Sequence, residues 1–430
     1  MTNLNQICWS IATLLLVGCG IYYSFKLNFI QFNFKEMIKS FKYEKKSNNS
    51  VSPFETLTLA LAARIGVGSL AGIALGIYNG GIGVIFWIWL STLFTLPNTF
   101  IESLLAVVYR KSDGEFYKGG PAYYIGNGLG YKKLAVIYAI VISLCYLGGF
   151  LAIQSNTISA SVSNFINIPN YVTGIIVALI SFFIIFKGLK SITKFTAKLV
   201  PVMGIGYLLI CLIVIVNNID LIPPLIINIV KEAFNIKAFG FGIFSSMIIG
   251  IQRGIFSSES GIGTGACASG TSDTNSPIKQ GMIQMIGIYF TTFVICTSTA
   301  IIILTSNIDV NSFVNVNGIE IVQSALNYHL GSVANSILLI VIITFAFSTV
   351  VSGYYYGESN IKYLFKNINE KGIVILKIIV VLILLYGAIA SPSKLWNLVD
   401  IGVAILAIIN VIAIFMLRKD VFIEMKNYRK

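Results

Sequence analysis

"RIGVGSLAG", Arg64 to Gly72, interrupts a segment from Phe54 to Tyr78 that is otherwise almost entirely apolar. Three glycines follow an arginine within nine residues. The spacing G-x-G-x-x-x-G is one residue too long for a dinucleotide-binding loop, and no soluble strand–helix unit surrounds it. Its meaning depends on the medium of the segment. The chain has 430 residues, of which 56% are hydrophobic and 11% charged, where a soluble domain carries roughly 25% charged residues. Long apolar runs recur throughout, so the sequence reads as an all-α polytopic membrane protein. Its aqueous loops are too short for a second folded domain.

Inside a bilayer, unpaired backbone N–H and C=O groups are costly. A helix is broken there only where the freed groups serve a protein-lined cavity. Glycine permits the departure from helical angles and the close approach of a ligand. N–H groups freed at the start of a half-helix favour a carboxylate, and carbonyls freed at the end of one favour a cation. The break at Arg64–Gly72 therefore suits an amino acid and a cation bound side by side.

Transmembrane segments of roughly 20 residues are expected at about 6–25, 53–78, 80–109, 133–163, 171–187, 196–217, 238–270, 279–304, 333–361, 372–390 and 395–417, about 11 in all. The first run has its basic residues after it, beginning at Lys26, and reads as a retained helix rather than a signal peptide. Lysines alternate between loops. One side collects Lys26, Lys35, Lys39, Lys42, Lys45 and Lys46, then Arg110, Lys111, Lys118, Lys132 and Lys133, then Lys187, Lys190 and Lys194. Later loops on that side hold Lys279, Lys362, Lys366 and Lys371, and the tail holds Arg418, Lys419, Lys426, Arg429 and Lys430. The positive-inside rule then places the N-terminus outside and the C-terminus in the cytoplasm of a multi-pass cell (plasma) membrane protein.

A second motif, "ESGIGT" at Glu259–Thr264, echoes "RIGVGS" at Arg64–Ser69. Each reads charge, any residue, Gly, β-branched, Gly, hydroxyl, and each interrupts an apolar segment. They head two blocks of five spans that enter the membrane from opposite sides, as in an inverted-topology repeat with a broken helix opening each half. The expected organisation is an extra N-terminal transmembrane helix and basic loop over 1–50, repeats over 51–220 and 221–418, and a basic cytoplasmic tail over 419–430.

Several function classes are excluded or set aside. The net charge of +13 follows membrane topology, and no basic patch with interleaved aromatics indicates nucleic acid. None of the six cysteines forms C-x-x-C, and they read as small core residues. His329 is the only histidine and reads as structural. With no nucleophile–base pair, zinc motif or P-loop, the chain is not read as an enzyme. A channel would want a polar stripe along several helices, whereas polar residues here concentrate at two breaks.

Five stretches, in this order, resemble the alanine/glycine:cation symporters, also called the sodium:alanine symporter family. They are "GGIGVIFWIWLSTLF" (Gly80–Phe94), "GGPAYYIGNGLG" (Gly119–Gly130), "KLVPVM" (Lys198–Met203), "RGIFSSESGIG" (Arg253–Gly263) and "AFSTVVSGYYYGE" (Ala346–Glu358). The resemblance covers essentially the whole chain. It implies a LeuT-type 5+5 fold behind one extra N-terminal helix and symport of a small neutral amino acid with Na⁺, without an organic cofactor. The backbone of Val67 and Gly68, and of Phe256 and Ser257, would meet the substrate carboxylate. Gln154 would hydrogen-bond the substrate, and Asn156 would support it. Na⁺ would take carbonyls at Ala62, Ile65 and Phe345 and hydroxyls of Ser348 and Thr349, an oxygen set suited to a hard cation.

The sequence departs from the family pattern at Val67, Ser69 and Ser258, at Thr99 in place of a lysine and at Val403 in place of an asparagine. Gly353 stands where a tryptophan is usual, which extends the expected substrates to a larger neutral side chain. Loss of side-chain amides at Ser69 and Ser258 leaves a second cation site open. A non-transporting amino-acid sensor and a proton-coupled carrier are the alternative readings. The oligomeric state is open, a monomer being sufficient. Arg64, Glu102, Arg253, Glu259 and Asp400 lie at or near membrane depth, where charges usually face a cavity or a partner. Structural pairing, for example Arg64 with Glu259, gating and ligand contact are the readings to be separated.

Overall fold

The computed structural model describes residues 3–42, 51–113, 116–186, 188–235, 243–313, 318–366 and 368–429. Lys45, Lys46, Lys187, Lys430 and the first residues of the expected 238–270 span lie outside them. Eight described helices are long and apolar enough to cross a membrane: Leu4–Lys26, Val84–Val108, Lys132–Ile166, Leu189–Asn217, Pro277–Leu304, Ser336–Leu364, Glu370–Ile389 and Pro392–Met416. The bent pair Pro53–Arg64 and Gly68–Gly80 makes a ninth. The other two expected segments take shorter forms, the apolar helix Asn170–Ile185 and the interrupted helix Ile243–Ser258 with Thr264–Ser269.

The first break follows from local chemistry. Pro53–Arg64 opens with a capping box in which Ser52 Oγ accepts from Glu55 N–H and Glu55 Oε2 accepts from Ser52 N–H, satisfying otherwise orphaned donors. At its other end Ile65 turns to ψ 69°, and the chain resumes through a π-helical turn at Gly68–Gly72, 52° off the first axis. The second break uses the left-handed region. Glu259, Gly261 and Gly263 have φ of 54°, 78° and 96°, angles that favour glycine at the last two. The motifs are thus the breaks. Both breaks also lie at the centre, since residues 56–77 and 249–274 are buried without interruption.

The N-terminal helix, Asn3–Lys26, packs against the last membrane helix and against Val84–Val108. Trp9 Nε1 donates to Asp400 O at 3.0 Å, Tyr23 Oη to Ile414 O at 2.8 Å, and Asn98 Nδ2 to Leu16 O at 2.9 Å. These bonds satisfy polar groups buried between the helices. The stretch between the spans expected at 279–304 and 333–361, which holds no lysine, contains the helix Ile319–Leu330. A further helix, Ile222–Ala233, precedes the second broken helix. A hairpin pairs Lys111–Asp113 with Phe116–Lys118, and the expected tail is the helix Arg418–Arg429.

Candidate functional site

The cation-ligand set assembles where the first break meets the helix Ser332–Leu364. Thr349 Oγ1 lies 2.9 Å from Ala62 O and 3.1 Å from Phe345 O, and Ser348 Oγ lies 3.1 Å and 2.8 Å from the same two oxygens. Ser348 and Thr349 are neighbours in sequence, and both hydroxyls fold back along the helix to Phe345 O. Each hydroxyl carries one proton, so two protons serve a square of four oxygens rich in lone pairs. Ala62 belongs to the last turn before the break, and Ile65 is the residue at which the helix stops. A Cβ at Gly66 would overlap the Thr349 hydroxyl, so glycine there is what lets the hydroxyl reach the break. Four of the five expected oxygens are therefore brought together, and Ile65 stands beside them in the chain.

The expected substrate residues gather at the facing breaks. Val67 N–H donates to Gln154 Oε1 at 3.4 Å, so Gln154 meets a backbone donor freed by the break. A Cβ at Gly68 would lie 2.9 Å from Phe256 Cδ1 and 3.7 Å from Ser257 Cα, which brings Gly68 against both Phe256 and Ser257. The Ser257 hydroxyl itself donates to Gly254 O at 3.1 Å. Asn156 points elsewhere: its Nδ2 donates at 2.9 Å to both Gly387 O and Ala390 O, tying its helix to the end of Glu370–Ile389. Nor is the space before Gly353 open, because a Cβ there would meet Leu151 Cδ1 at 3.0 Å and Tyr146 Cδ1 at 3.5 Å.

Several residues at the site were not singled out from sequence. Tyr146 and Phe150 stack at 4.3 Å and 7°, Phe150 and Phe256 at 5.0 Å and 11°, and Phe256 meets Trp396 at 5.0 Å. Arg253 lies 5.1 Å over the Trp396 ring, a cation–π distance, and its Nη2 donates to Asp400 Oδ2 at 2.7 Å. The "YLGGF" run at Tyr146–Phe150 contains the only local sign of this ring column, two aromatics flanking two glycines.

The charged residues pair differently from the expected example. Arg64 does not bond Glu259: its Nη1 donates to Gln284 Oε1 at 3.2 Å, and Glu259 Oε1 accepts from the Tyr146 hydroxyl. Glu259 directly follows the helix that ends at Ser258, and its left-handed backbone carries the carboxylate toward Tyr146. A buried ion pair joins Arg253 to Asp400. The altered motif positions are also self-satisfied, as Ser69 Oγ donates to Gly66 O at 2.9 Å and Thr99 Oγ1 to Ser260 Oγ at 2.9 Å.

Comparison with known proteins identifies the family. The sequence model of the sodium:alanine symporter family matches residues 1–430. The amino-acid carrier protein AlsT of Bacillus subtilis (strain 168) is 37% identical over 428 residues, covering 99% of this chain and 91% of that protein. The probable sodium/glutamine symporter GlnT of the same organism is 37% identical, with 99% and 89% covered. The sodium/alanine symporter AgcS of Methanococcus maripaludis is 32% identical, with 100% and 97% covered. Among solved structures, the Eremococcus coleocola manganese transporter aligns with a TM-score of 0.53 at 12% identity, over 83% of this chain and 76% of that one. A Na⁺-coupled sialic acid symporter in a substrate-bound outward-open state gives 0.50 at 11% identity, over 96% and 82%. At such identities these structures speak to the fold alone, and the fold is LeuT-type.

Proposed function

The chain belongs to the sodium:alanine symporter family, and from that premise we propose that it carries a small neutral amino acid into the cell with Na⁺ by alternating access. The observation that carries this reading is the oxygen square of Ala62, Phe345, Ser348 and Thr349, which joins the first break to a helix of the other half. Na⁺ bound there, with the Ile65 carbonyl, ties the two repeats together. The substrate carboxylate takes the backbone donors at Val67 and Gly68, the carbonyls of Phe256 and Ser257, freed where the helix Ile243–Ser258 ends, take its ammonium group, and Gln154 turns from Val67 to the substrate. Phe256, Phe150 and Trp396 wall the site. Because Leu151 and Tyr146 occupy the space before Gly353, the geometry supports an alanine-sized side chain over a larger one. The Arg253–Asp400 pair, resting on Trp396 and Phe256, closes the site on the side from which the second broken helix enters.

Eleven spans, an outside N-terminus, a cytoplasmic C-terminus and residence in the plasma membrane complete the reading, supported by the alternation of lysines between loops. The test is uptake by purified protein in liposomes, comparing an amino-acid panel under Na⁺, Li⁺, K⁺ and H⁺ gradients. Concentrative alanine or glycine uptake driven by Na⁺ alone is expected. Saturable uptake indifferent to every ion gradient contradicts symport.

A further inference from the structure

Two carboxylates and one guanidinium lie buried beside the breaks. Glu102, Glu259 and Arg64 are 0%, 1% and 1% exposed. Arg64 ends the first half-helix, Glu259 opens the second break, and Glu102 projects from Val84–Val108. A Cβ at Gly265 would overlap Arg64 Nη2 and lie 3.7 Å from Glu102 Oε1, so the two groups border the same bare backbone position. Arg64 is also close enough for its charge to act on both carboxylates.

Each carboxylate has one oxygen in a close hydrogen bond. Glu102 Oε2 accepts from Asn410 Nδ2 at 2.8 Å, and Glu259 Oε1 accepts from the Tyr146 hydroxyl. Glu102 Oε1 and Glu259 Oε2 are buried and make no close hydrogen bond among the described residues, with Gly263 N–H beside Glu102 and the Thr264 hydroxyl beside Glu259. Arg253 and Asp400 neutralise one another and offer nothing to the balance. Two fully ionised carboxylates against one guanidinium leave a surplus negative charge in the membrane interior, which is strongly unfavourable without a bound cation.

The surroundings choose among cations. Na⁺ needs several oxygen acceptors, whereas the groups beside this pair are mainly donors: the Asn410 amide, the Tyr146 hydroxyl, Gly263 N–H, the Thr264 hydroxyl and Arg64, whose Nε and Nη2 have no close partner. A proton needs a single carboxylate oxygen. The other titratable groups facing the pair are Tyr124, whose hydroxyl bonds Asn410 Oδ1, Tyr138, whose hydroxyl donates to Ile262 O, and Tyr356, Cys145 and Cys267. Phenols and thiols are uncharged near neutral pH and cannot balance the surplus.

We propose that Glu102 and Glu259 form a proton-binding site, holding one proton between them with Arg64 as counter-charge, and that the proton leaves when the broken helices move. The proton converts one carboxylate to the acid and comes from water on the side to which the site opens. Proton binding stands without the symport reading, while its link to movement rests on that reading.

Infrared difference spectroscopy of the purified full-length protein on raising the pH tests the binding. Wild type is expected to show one buried carboxylic-acid C=O band. Glu102→Gln and Glu259→Gln, each leaving one carboxylate against Arg64, lose it, while Glu102→Asp keeps it. No such band in wild type, or a band surviving in both glutamine variants, overturns the site, as does loss of Na⁺ binding in Glu102→Gln without any acid band. The link is tested by Na⁺-driven alanine uptake against pH. Its pH profile flattens in Glu102→Gln, and an unchanged profile in a variant that has lost the band overturns the link. Absence of uptake in wild type refutes the symport reading and the link, with the infrared result still deciding the binding site.

Discussion

Thr349 Oγ1 sits 2.9 Å from the carbonyl oxygen of Ala62, joining residues 287 positions apart at the point where a membrane helix stops. The contact makes a specific demand on Na⁺ binding. Ser348→Ala with Thr349→Ala removes both hydroxyls of the oxygen square and leaves the carbonyls. Hydrogen bonds to charged groups contribute about 1.5–3 kcal/mol each, and ligand oxygens lost from a cation are expected to cost no less. Apparent Na⁺ affinity in alanine uptake should fall at least about tenfold with expression maintained. Unchanged Na⁺ dependence removes these hydroxyls from the ligand set.

The Arg253–Asp400 pair predicts an asymmetry in stability. Asp400→Asn strands a buried guanidinium, and breaking such a pair typically costs about 3–5 kcal/mol. Replacing both partners by apolar residues, Arg253→Met with Asp400→Leu, should restore most of that loss, because no charge is then left buried. Thermal unfolding in detergent checks this. Equal destabilisation by the single and double variants shows that the residues do not act as a pair.

Membrane orientation is tested from the aqueous side. With an outside N-terminus, a cysteine at Asn170 reacts with an impermeant thiol reagent added outside, and one at Ser191 reacts only after the cytoplasmic face is opened. The reverse pattern inverts the whole topology and, with it, the direction in which the two breaks enter.

His329 gives a pH effect beyond the membrane helices. Its Nε2 lies 3.0 Å from Ile302 O, and its Nδ1 lies 3.4 Å from Asn218 Nδ2. A carbonyl only accepts, so Nε2 carries the proton and Nδ1 accepts from the amide. Burial holds the imidazole below its usual 6.5, so the folded protein binds this proton less readily than the unfolded chain. The neutral ring's contribution is full above pH 6.5 and is lost as the pH falls below it. Unfolding midpoints measured across that range should fall on acidification, and His329→Gln should show a smaller fall. An equal fall in both proteins assigns the effect to other groups.

Much of the helical architecture was legible because the bilayer makes long apolar runs obligatory. Both breaks were legible for the same reason: glycines beside a charge have no ordinary place in an apolar run, and the chain leaves the helix at Arg64 and again at Glu259. Ala62, Ser348 and Thr349 carried no local mark of cation binding, since a serine–threonine pair in a helix ordinarily bonds its own backbone. The family resemblance supplied them. The pairing of Arg253 with Asp400, and of Glu259 with Tyr146, depends on which faces of distant helices meet, and charge spacing carries no such information. The resemblance leaves the space at Gly353 either open to substrate or refilled by neighbours, and Leu151 borders it from another helix. Ile319–Leu330 escaped notice because a lysine-free polar stretch resembles a loop.

The central claim, that amino acid and Na⁺ bind together at the paired breaks, is tested most directly by equilibrium binding of labelled alanine to the purified protein in Na⁺ and in K⁺. Binding free energies are reciprocal, so Na⁺ should tighten alanine binding, alanine should tighten Na⁺ binding by the same factor, and Ser348→Ala with Thr349→Ala should remove most of both effects. Alanine binding of equal affinity in Na⁺ and K⁺, unchanged by the double substitution, contradicts the account.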